Sequence, residues 1–305
     1  MVELIWDGKY DENGRRVAPL RVALPFQAVE TVNESAQQRQ LMLDLFSAGR
    51  DPEWRNRLIW GDKKYVLPSL LPEFAGKVDL IYIDPPFATG ADFSFQAQVG
   101  DDEFTKEPNI IEEKAYRDIW GHGIDSYLQW FYETIALLHE LLAEHGSIFV
   151  HLDWHTGHYA KAVLDEIFGR ENYLNEIIWW YYNKFQGNVN RFAADHDTIF
   201  WYRKGEQYRF APQQEERDEP VKQIKRRWDS QTNRLVNVKG ADGKVEYQVS
   251  THRIVGDVWR VAMLQPADKT QNVGYPTQKP EALLERIIQA TTDETDLVLD
   301  CFCGS

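Results

Sequence analysis

The chain has 305 residues, of which 43% are hydrophobic, and carries a formal net charge of −14. A chain of this size can form one large domain or two moderate ones with a full core. No apolar stretch is long enough to span a bilayer, and the polar N-terminus lacks the charged-then-apolar order of a secretory signal. We therefore expect a cytoplasmic protein without a membrane partner.

The charge is distributed unevenly along the chain. Residues 221–255 contain eight basic and three acidic side chains, so this segment carries +5 and the remainder −19. Cations that neutralise phosphates give nucleic-acid binders their affinity, so a nucleic acid would bind this segment rather than the acidic remainder. The alternative is an ordinary solvated run of charges.

The two cysteines, Cys301 and Cys303, are too close in sequence to cross-link distant parts of a fold. A single Cys-x-Cys pair is also a poor zinc signature. We interpret both residues as small apolar side chains.

Residues 1–57 have the pattern of a variable leader with one amphipathic helix at residues 34–47. Beyond it, apolar strands alternate with amphipathic helices. We expect strands at residues 58–60, 78–83, 147–152, 176–182, 197–202 and 297–299, and helices at residues 65–71, 127–142, 159–168 and 281–289. We expect Gly146 to end the second helix. This order predicts an α/β fold with a mostly parallel sheet covered by helices on both faces.

Sheets of this kind bind ligands at the carboxyl ends of their strands. Four aspartates follow predicted strands, namely Asp62, Asp84, Asp153 and Asp300. The predicted strand at residues 78–83 is followed by the unusual segment Asp84-Pro85-Pro86-Phe87. This segment combines a carboxylate, two rigid prolines and an aromatic ring. Such a loop can hold a planar amine, and the alternative is an ordinary proline-rich turn.

This segment resembles the catalytic motif of amino-group DNA methyltransferases. Residues 275–280, the helix after them and residues 299–305 are similar to the cofactor-binding stretch of the same family. The catalytic motif comes first, which is the circularly permuted order of the family's beta class and is similar to Mod subunits of type III restriction-modification systems. The resemblance covers roughly residues 57–305.

The resemblance implies a Rossmann-like methyltransferase fold that uses S-adenosylmethionine. Residues 58–204 would form the catalytic half, residues 205–274 an inserted target-recognition region, and residues 275–305 the start of the cofactor-binding half. Asp84 and the Pro85 carbonyl would accept hydrogen bonds from an exocyclic amine, and Phe87 would stack on a base flipped out of the duplex. Aspartate as the first motif residue favours adenine N6, with cytosine N4 as the nearest alternative. No metal is required.

The resemblance also implies a set of cofactor-binding residues: Asp62, Lys279, Pro280, Asp300, Phe302 and Gly304. For Asp62 the alternative is an ordinary turn aspartate, and for Lys279 a surface lysine. The spacing of His151, His155 and His158 invites a metal interpretation, but we expect a polar cluster lining the pocket. The aromatic residues 179–182 and 200–202 are mainly core, and Phe200 or Tyr202 is a candidate for the far wall of the base pocket.

Five residues of the basic segment interleave charge with an aromatic ring and are expected to bind DNA: Lys222, Lys225, Arg226, Arg227 and Trp228. Double-stranded DNA is the expected ligand, and a homodimer or a restriction subunit are further partners that the resemblance allows.

The family pattern continues past the point where Ser305 stands. We therefore expect a fragment of a longer methyltransferase, or one half of a split enzyme that a second polypeptide completes. The alternative function is a catalytically silent DNA-binding or assembly subunit that cannot hold the cofactor.

Overall fold

The computed structural model describes residues 3–28, 56–87, 95–99, 102–106, 123–184, 190, 192–275 and 277–304. The chain divides into two compact units: Met1–Val78, Ala88–Glu144 and His158–Arg170 form the first, and Asp79–Phe87, His145–Gly157 and Glu171–Ser305 the second. The helix expected at residues 34–47 lies outside the described residues.

The first unit is mainly helical. It contains α1 (Lys63–Phe74), α2 (Ile124–Leu141), most of α3 (Gly157–Phe168) and an antiparallel pair of short strands, β2 (Phe95–Val99) and β3 (Asp102–Lys106). Asp62 caps α1 by accepting a hydrogen bond from the Lys64 N–H at 2.9 Å. The apolar face of α2, including Phe131 and Ile135, is fully buried.

The second unit holds most of a six-stranded sheet with the order β11-β5-β6-β4-β1-β12. Its strands are β1 (Val78–Ile83), β4 (Leu142–Leu152), β5 (Tyr173–Trp180), β6 (His196–Arg203), β11 (Val258–Arg260) and β12 (Val298–Leu299). Apolar runs such as Ile148-Phe149-Val150 are buried on both faces, as expected for strands inside such a sheet.

Strand directions are mostly parallel. β1 pairs in parallel with β12, and β11 pairs in parallel with β5. β6 is antiparallel to both of its neighbours, β4 and β5, so β4, β5 and β11 all run in the same direction. The expected α/β fold with a mostly parallel sheet is confirmed.

The basic segment forms two antiparallel hairpins. One pairs β7 (Gln214–Ile224) with β10 (Tyr247–Ile254), and the other pairs β8 (Arg226–Asp229) with β9 (Arg234–Asn237). Asn233 supplies the positive φ of 52° in the β8–β9 turn. These strands lie within residues 205–274, the expected insert, which also contains β11 of the main sheet.

The last helix, α4 (Glu281–Thr291), contributes Leu283 and Ile287 to a buried cluster with residues of the sheet. The aromatic residues around β5 alternate as a half-buried strand does: Trp179 and Tyr181 are buried, whereas Trp180 and Tyr182 are 36% and 47% exposed. Phe200, Trp201 and Tyr202 are all buried, as expected for core residues.

Two local expectations were wrong. Residues 58–60 do not form a strand, and Leu58 and Trp60 are 89% and 101% exposed. Gly146 does not end a helix, because α2 already ends at Leu141 and β4 begins at the next residue. Within the described residues, none of the helices has both the length and the apolar character needed to cross a membrane.

Ile287 and Ile288 provide a matched test of how α4 contributes to stability. Ile287 is 1% exposed and Ile288 is 43% exposed. Ile287→Ala should lower the free energy of unfolding by about 2–5 kcal/mol because it leaves a cavity, whereas Ile288→Ala should change it by less than about 1 kcal/mol. Urea denaturation measures both, and equal losses in the two variants would contradict the buried position of Ile287.

Candidate functional site

The segment from Asp84 to Phe87 leaves β1 at its carboxyl end, as the sequence predicted. Pro85 is buried, and the Asp84 side chain is 19% exposed. The carboxylate therefore lies in a partly desolvated position, where charge interactions are stronger than at the open surface.

Lys279 forms an ion pair with Asp84 across 195 residues of sequence. The Lys279 side chain is 13% exposed, and its Nζ lies 6.0 Å from the centre of the Phe87 ring and 3.4 Å from the Thr277 carbonyl oxygen. Pro280 is buried next to it and occupies the cap position of α4. The structure thus brings the two sequence motifs together.

Asp300 follows β12, the parallel neighbour of β1, so it lies at the same edge of the sheet as Asp84. Its Oδ1 accepts a hydrogen bond from the Phe302 N–H at 2.8 Å. Burial, with a smaller contribution from the Asp84 charge, raises the pKa of Asp300 to about 6, against the lowering effects of the Phe302 N–H and of Lys279. One lysine is therefore shared electrostatically by two carboxylates.

Gly304 has a positive φ of 68°, which L side chains rarely adopt. A Cβ at this position would also lie 2.9 Å from the ring of Tyr275. Both constraints require glycine, and they keep the exposed backbone of this turn accessible to a ligand.

A chain of hydrogen bonds links four side chains next to the Asp84–Phe87 segment: Tyr82, His151, Asp197 and Tyr181. The fully buried His151 of β4 contacts the Tyr82 hydroxyl through Nδ1 at 2.9 Å and Asp197 Oδ2 through Nε2 at 3.2 Å. The Tyr181 hydroxyl donates to the other oxygen of Asp197 at 3.2 Å. The Phe87 ring centre is 6.3 Å from that of His151, so this chain supports the segment directly.

Two groups of this chain have shifted pKa values, Asp197 and Tyr82. Burial raises the pKa of Asp197, but the hydrogen bond and charge of His151, with smaller contributions from Lys279 and Tyr181, outweigh it and lower the pKa overall. Burial, followed by the charges of Asp84, Asp300 and Asp197, raises the pKa of Tyr82 well above its usual value. Asp197 therefore stays ionised and lies within hydrogen-bond distance of His151 Nε2, and Tyr82 keeps its hydroxyl proton next to His151 Nδ1.

The other histidines take separate partners. Asp153 accepts hydrogen bonds from the His155 backbone and ring, and the Trp154 ring stacks on His155 with centres 3.6 Å apart. His151 belongs to the buried chain with Tyr82 instead. His158 begins the part of α3 that lies in the first unit.

Two further groups of expected site residues are on other elements of the fold. Asp62 belongs to the first unit, where it caps α1. The five expected DNA-binding residues are on the hairpins, where all of them are exposed: Lys222, Lys225, Arg226, Arg227 and Trp228. Lys222 lies over the Tyr247 ring at 4.8 Å, and Lys225 pairs with Glu246 at 3.2 Å.

Sequence reasoning missed three members of the site: Tyr82, Tyr181 and Asp197. Each is a polar group within or next to a strand that is otherwise apolar. A buried polar group requires a partner, so this pattern was the available signal.

Comparison with known proteins gives a consistent result. A family model described as DNA methylase, of the N6/N4 type, matches residues 78–305. Type II methyltransferase M.EcaI of Enterobacter cloacae is 26% identical over 305 residues, which cover 82% of this chain and 62% of that protein. DNA adenine methyltransferase YhdJ of Escherichia coli is 26% identical over 252 residues, which cover 81% of this chain and 71% of that protein.

The Mod subunit of the Escherichia coli type III restriction-modification enzyme EcoP15I is 32% identical over 161 residues. That match covers 49% of this chain and 24% of the Mod subunit. The chain thus spans less than two thirds of the length of M.EcaI and about a quarter of EcoP15I Mod.

The raised pKa of Asp300 predicts a pH-dependent stability. The folded protein holds this proton up to about pH 6, whereas the unfolded carboxyl releases it near its ordinary pKa of 3.8. The protonated carboxyl therefore stabilises the fold fully below pH 3.8, and this stabilisation is lost as the pH rises through about 6. Asp300→Asn mimics the neutral carboxyl, so its stability relative to the parent chain should increase by about 1–3 kcal/mol between pH 4 and pH 7.

Urea denaturation at the two pH values measures this difference. Asp218→Asn is the matched control, because Asp218 is exposed on β7 and its replacement should have the same effect at both pH values. If the Asp300→Asn difference is also independent of pH, the inferred burial of an ionisable Asp300 is wrong.

Proposed function

The chain belongs to the N6/N4 DNA methylase family, and we propose that it transfers a methyl group from S-adenosylmethionine to the N6 amino group of an adenine extruded from DNA. The proposal rests on one observation: two sequence motifs lie together at one edge of the sheet. Lys279 pairs with Asp84 and lies near the Phe87 ring, and the Asp300 carboxyl is influenced by both charges. A carboxylate beside an aromatic ring is suited to a planar base with an exocyclic amine.

Asp84 and Pro85 would activate the amine by accepting its two N–H groups. The lone pair of an exocyclic amine is delocalised into the base, so the nitrogen is a weak nucleophile. Hydrogen bonds to the Asp84 carboxylate and the Pro85 carbonyl favour a pyramidal nitrogen, which localises the pair and stabilises the transition state more than the ground state. Asp84 is also the first acceptor for the proton that the nitrogen loses.

Lys279 is compatible with this role. Its ion pair uses Oδ2 of Asp84, and a carboxylate has acceptor sites on both oxygens, so the amine can bind Oδ1 without displacing the lysine. The lysine would then fix the orientation of the carboxylate. A pre-oriented acceptor avoids reorganisation during the reaction.

Phe87 would stack on the extruded base, a contact typically worth about 1–3 kcal/mol. Removing a base from the duplex costs a few kcal/mol, so this contact offsets part of the extrusion. Because the Phe87 ring is supported by His151, it offers a fixed surface to the base.

The residues after β12 fit the methyl donor of this family, S-adenosylmethionine. Asp300, Phe302 and Gly304 would hold it, since the Gly304 turn leaves room for close approach to the backbone and Asp300 supplies a partly buried carboxylate. When bound, this group supplies an activated methyl on a positively charged sulfur. Lys279 would orient its negatively charged end.

Adenine is the proposed target for two reasons. The motif begins with Asp84, which the sequence resemblance associates with adenine, and YhdJ is named as a DNA adenine methyltransferase. Cytosine N4 carries a chemically similar amine and is the alternative outcome of the experiment below.

We propose that DNA contacts the exposed cations of the two hairpins, including Arg226 and Arg227 of β8, because phosphate neutralisation requires accessible positive charge. The name of the EcoP15I Mod subunit further suggests a role in a restriction-modification system with a restriction subunit.

Asp84→Asn tests the proposed chemistry. The variant keeps the size of the side chain but loses its charge, so methyl transfer to DNA should fall at least about hundredfold. Genomic DNA from a host without its own methyltransferases, expressing either chain, is digested to nucleosides and analysed by mass spectrometry. The parent chain should produce N6-methyladenine.

Glu294→Gln is the control, because Glu294 is exposed and its replacement should leave methylation unchanged. N4-methylcytosine in place of N6-methyladenine would refute the proposed target. Undiminished methylation by Asp84→Asn would refute the proposed role of the carboxylate.

A further inference from the structure

Three side chains form an exposed group at the ends of β5 and β11, which we call the aromatic platform: Trp180, Tyr182 and Arg260. The two rings are 36% and 47% exposed, and their centres are 6.1 Å apart. The Arg260 guanidinium lies 4.2 Å from the centre of the Tyr182 ring and 5.8 Å from that of Trp180. A cation thus covers one side of an exposed aromatic pair.

Hydrogen bonds to the backbone hold the platform in place. Asn183 donates to the Met263 carbonyl at 2.9 Å and accepts from the Met263 N–H at 2.8 Å, which ties the segment after β5 to the segment after β11. The buried Trp179 donates to the Val261 carbonyl at 2.8 Å. The Trp180 indole N–H is also fixed, by Asp195 at 3.1 Å. Rings held in this way lose little further conformational entropy on binding.

The platform lies on the edge of the sheet that carries Asp84. β4, β5 and β11 run in the same direction, and His151 near the end of β4 contacts both Tyr82 and Phe87 of the β1 end. In the sheet order, β5 is three strand spacings from β1, which is about 14 Å. That distance corresponds to about four base steps of B-DNA, so one DNA segment can reach both places.

The chemistry of the platform fits the nucleotides of a DNA strand. Exposed Trp and Tyr rings stack on bases of any sequence, and an arginine stacked on a ring keeps N–H groups at its edge for a phosphate. We propose that Trp180, Tyr182 and Arg260 bind the nucleotides that flank the extruded base on its own strand; this inference rests on the proposed function.

Binding of a fluorescein-labelled duplex with one unpaired adenine, measured by fluorescence anisotropy, tests the platform. The unpaired adenine replaces the base that the protein would otherwise have to extrude. Trp180→Ala and Tyr182→Ala should each weaken binding by about fivefold or more because each removes a stacking surface. Val258→Ala is the control, since Val258 is exposed on the same strand as Arg260 but pairs with Ile178 rather than with Trp180.

Arg260 provides a second, independent readout. Arg260→Ala should reduce the slope of log binding constant against log salt concentration by about 0.9, the value for one lost phosphate contact. Arg260→Lys should restore this slope but not the full affinity, because lysine keeps the charge and loses the planar stacking surface. Thermal unfolding of the same preparations identifies any variant that fails to fold, and Tyr182, the more exposed ring, then provides the deciding variant.

The outcomes separate this inference from the proposed function. Methylation by the parent chain together with unchanged DNA affinity in the folded Trp180→Ala and Tyr182→Ala variants would overturn the platform alone. DNA binding that depends on these rings, without methyl transfer, would support the platform and contradict the proposed function. Absence of DNA binding by the parent chain would overturn the platform.

Discussion

The geometry of the site depends on one buried side chain, His151, which links three strands of the sheet. It lies on β4 and contacts Tyr82 of β1 and Asp197 of β6. A buried polar group that loses its partner costs about 1–3 kcal/mol, so both contacts constrain how the strands align. Tyr82 is two residues before Asp84, and the Phe87 ring lies against the imidazole. These contacts therefore fix the position of the Asp84–Phe87 segment before any ligand binds.

The antiparallel direction of β6 makes this link available. In a parallel strand, the residue at the carboxyl end would lie at this edge, whereas β6 brings Asp197, near its amino end, beside the last residues of β4. The same pairing sets Tyr181 against the second oxygen of Asp197. The antiparallel direction of β6 thus places the Asp197 carboxylate at the edge of the sheet where the other strands place residues from their carboxyl ends. The fold and the electrostatics of the site are consequences of the same topology.

Much of the fold could be predicted because strands buried on both faces have continuous apolar sequences, as at Val78–Ile83. Residues 58–60 are also apolar but do not form a strand. Three apolar residues do not show whether another strand is available to pair with them. The strand-end rule predicted that Asp84 and Asp300 would lie at one edge. It could not predict Asp197, because sequence does not give strand direction. The hairpins were missed because both of their faces are largely exposed, which removes the alternation of polar and apolar residues.

The charges at this edge favour a cationic ligand. Asp84 and Asp300 share Lys279, and the pKa of Asp300 near 6 reflects a buried carboxylate that this lysine does not fully compensate. Ionising Asp300 at neutral pH therefore destabilises the free protein, and a ligand with positive charge relieves that cost on binding. The proposed methyl donor carries such a charge on its sulfur and loses it on transfer. The charges at this edge thus match the positive sulfur of the proposed donor, and the same buried carboxylate that destabilises the free protein would help to hold that donor.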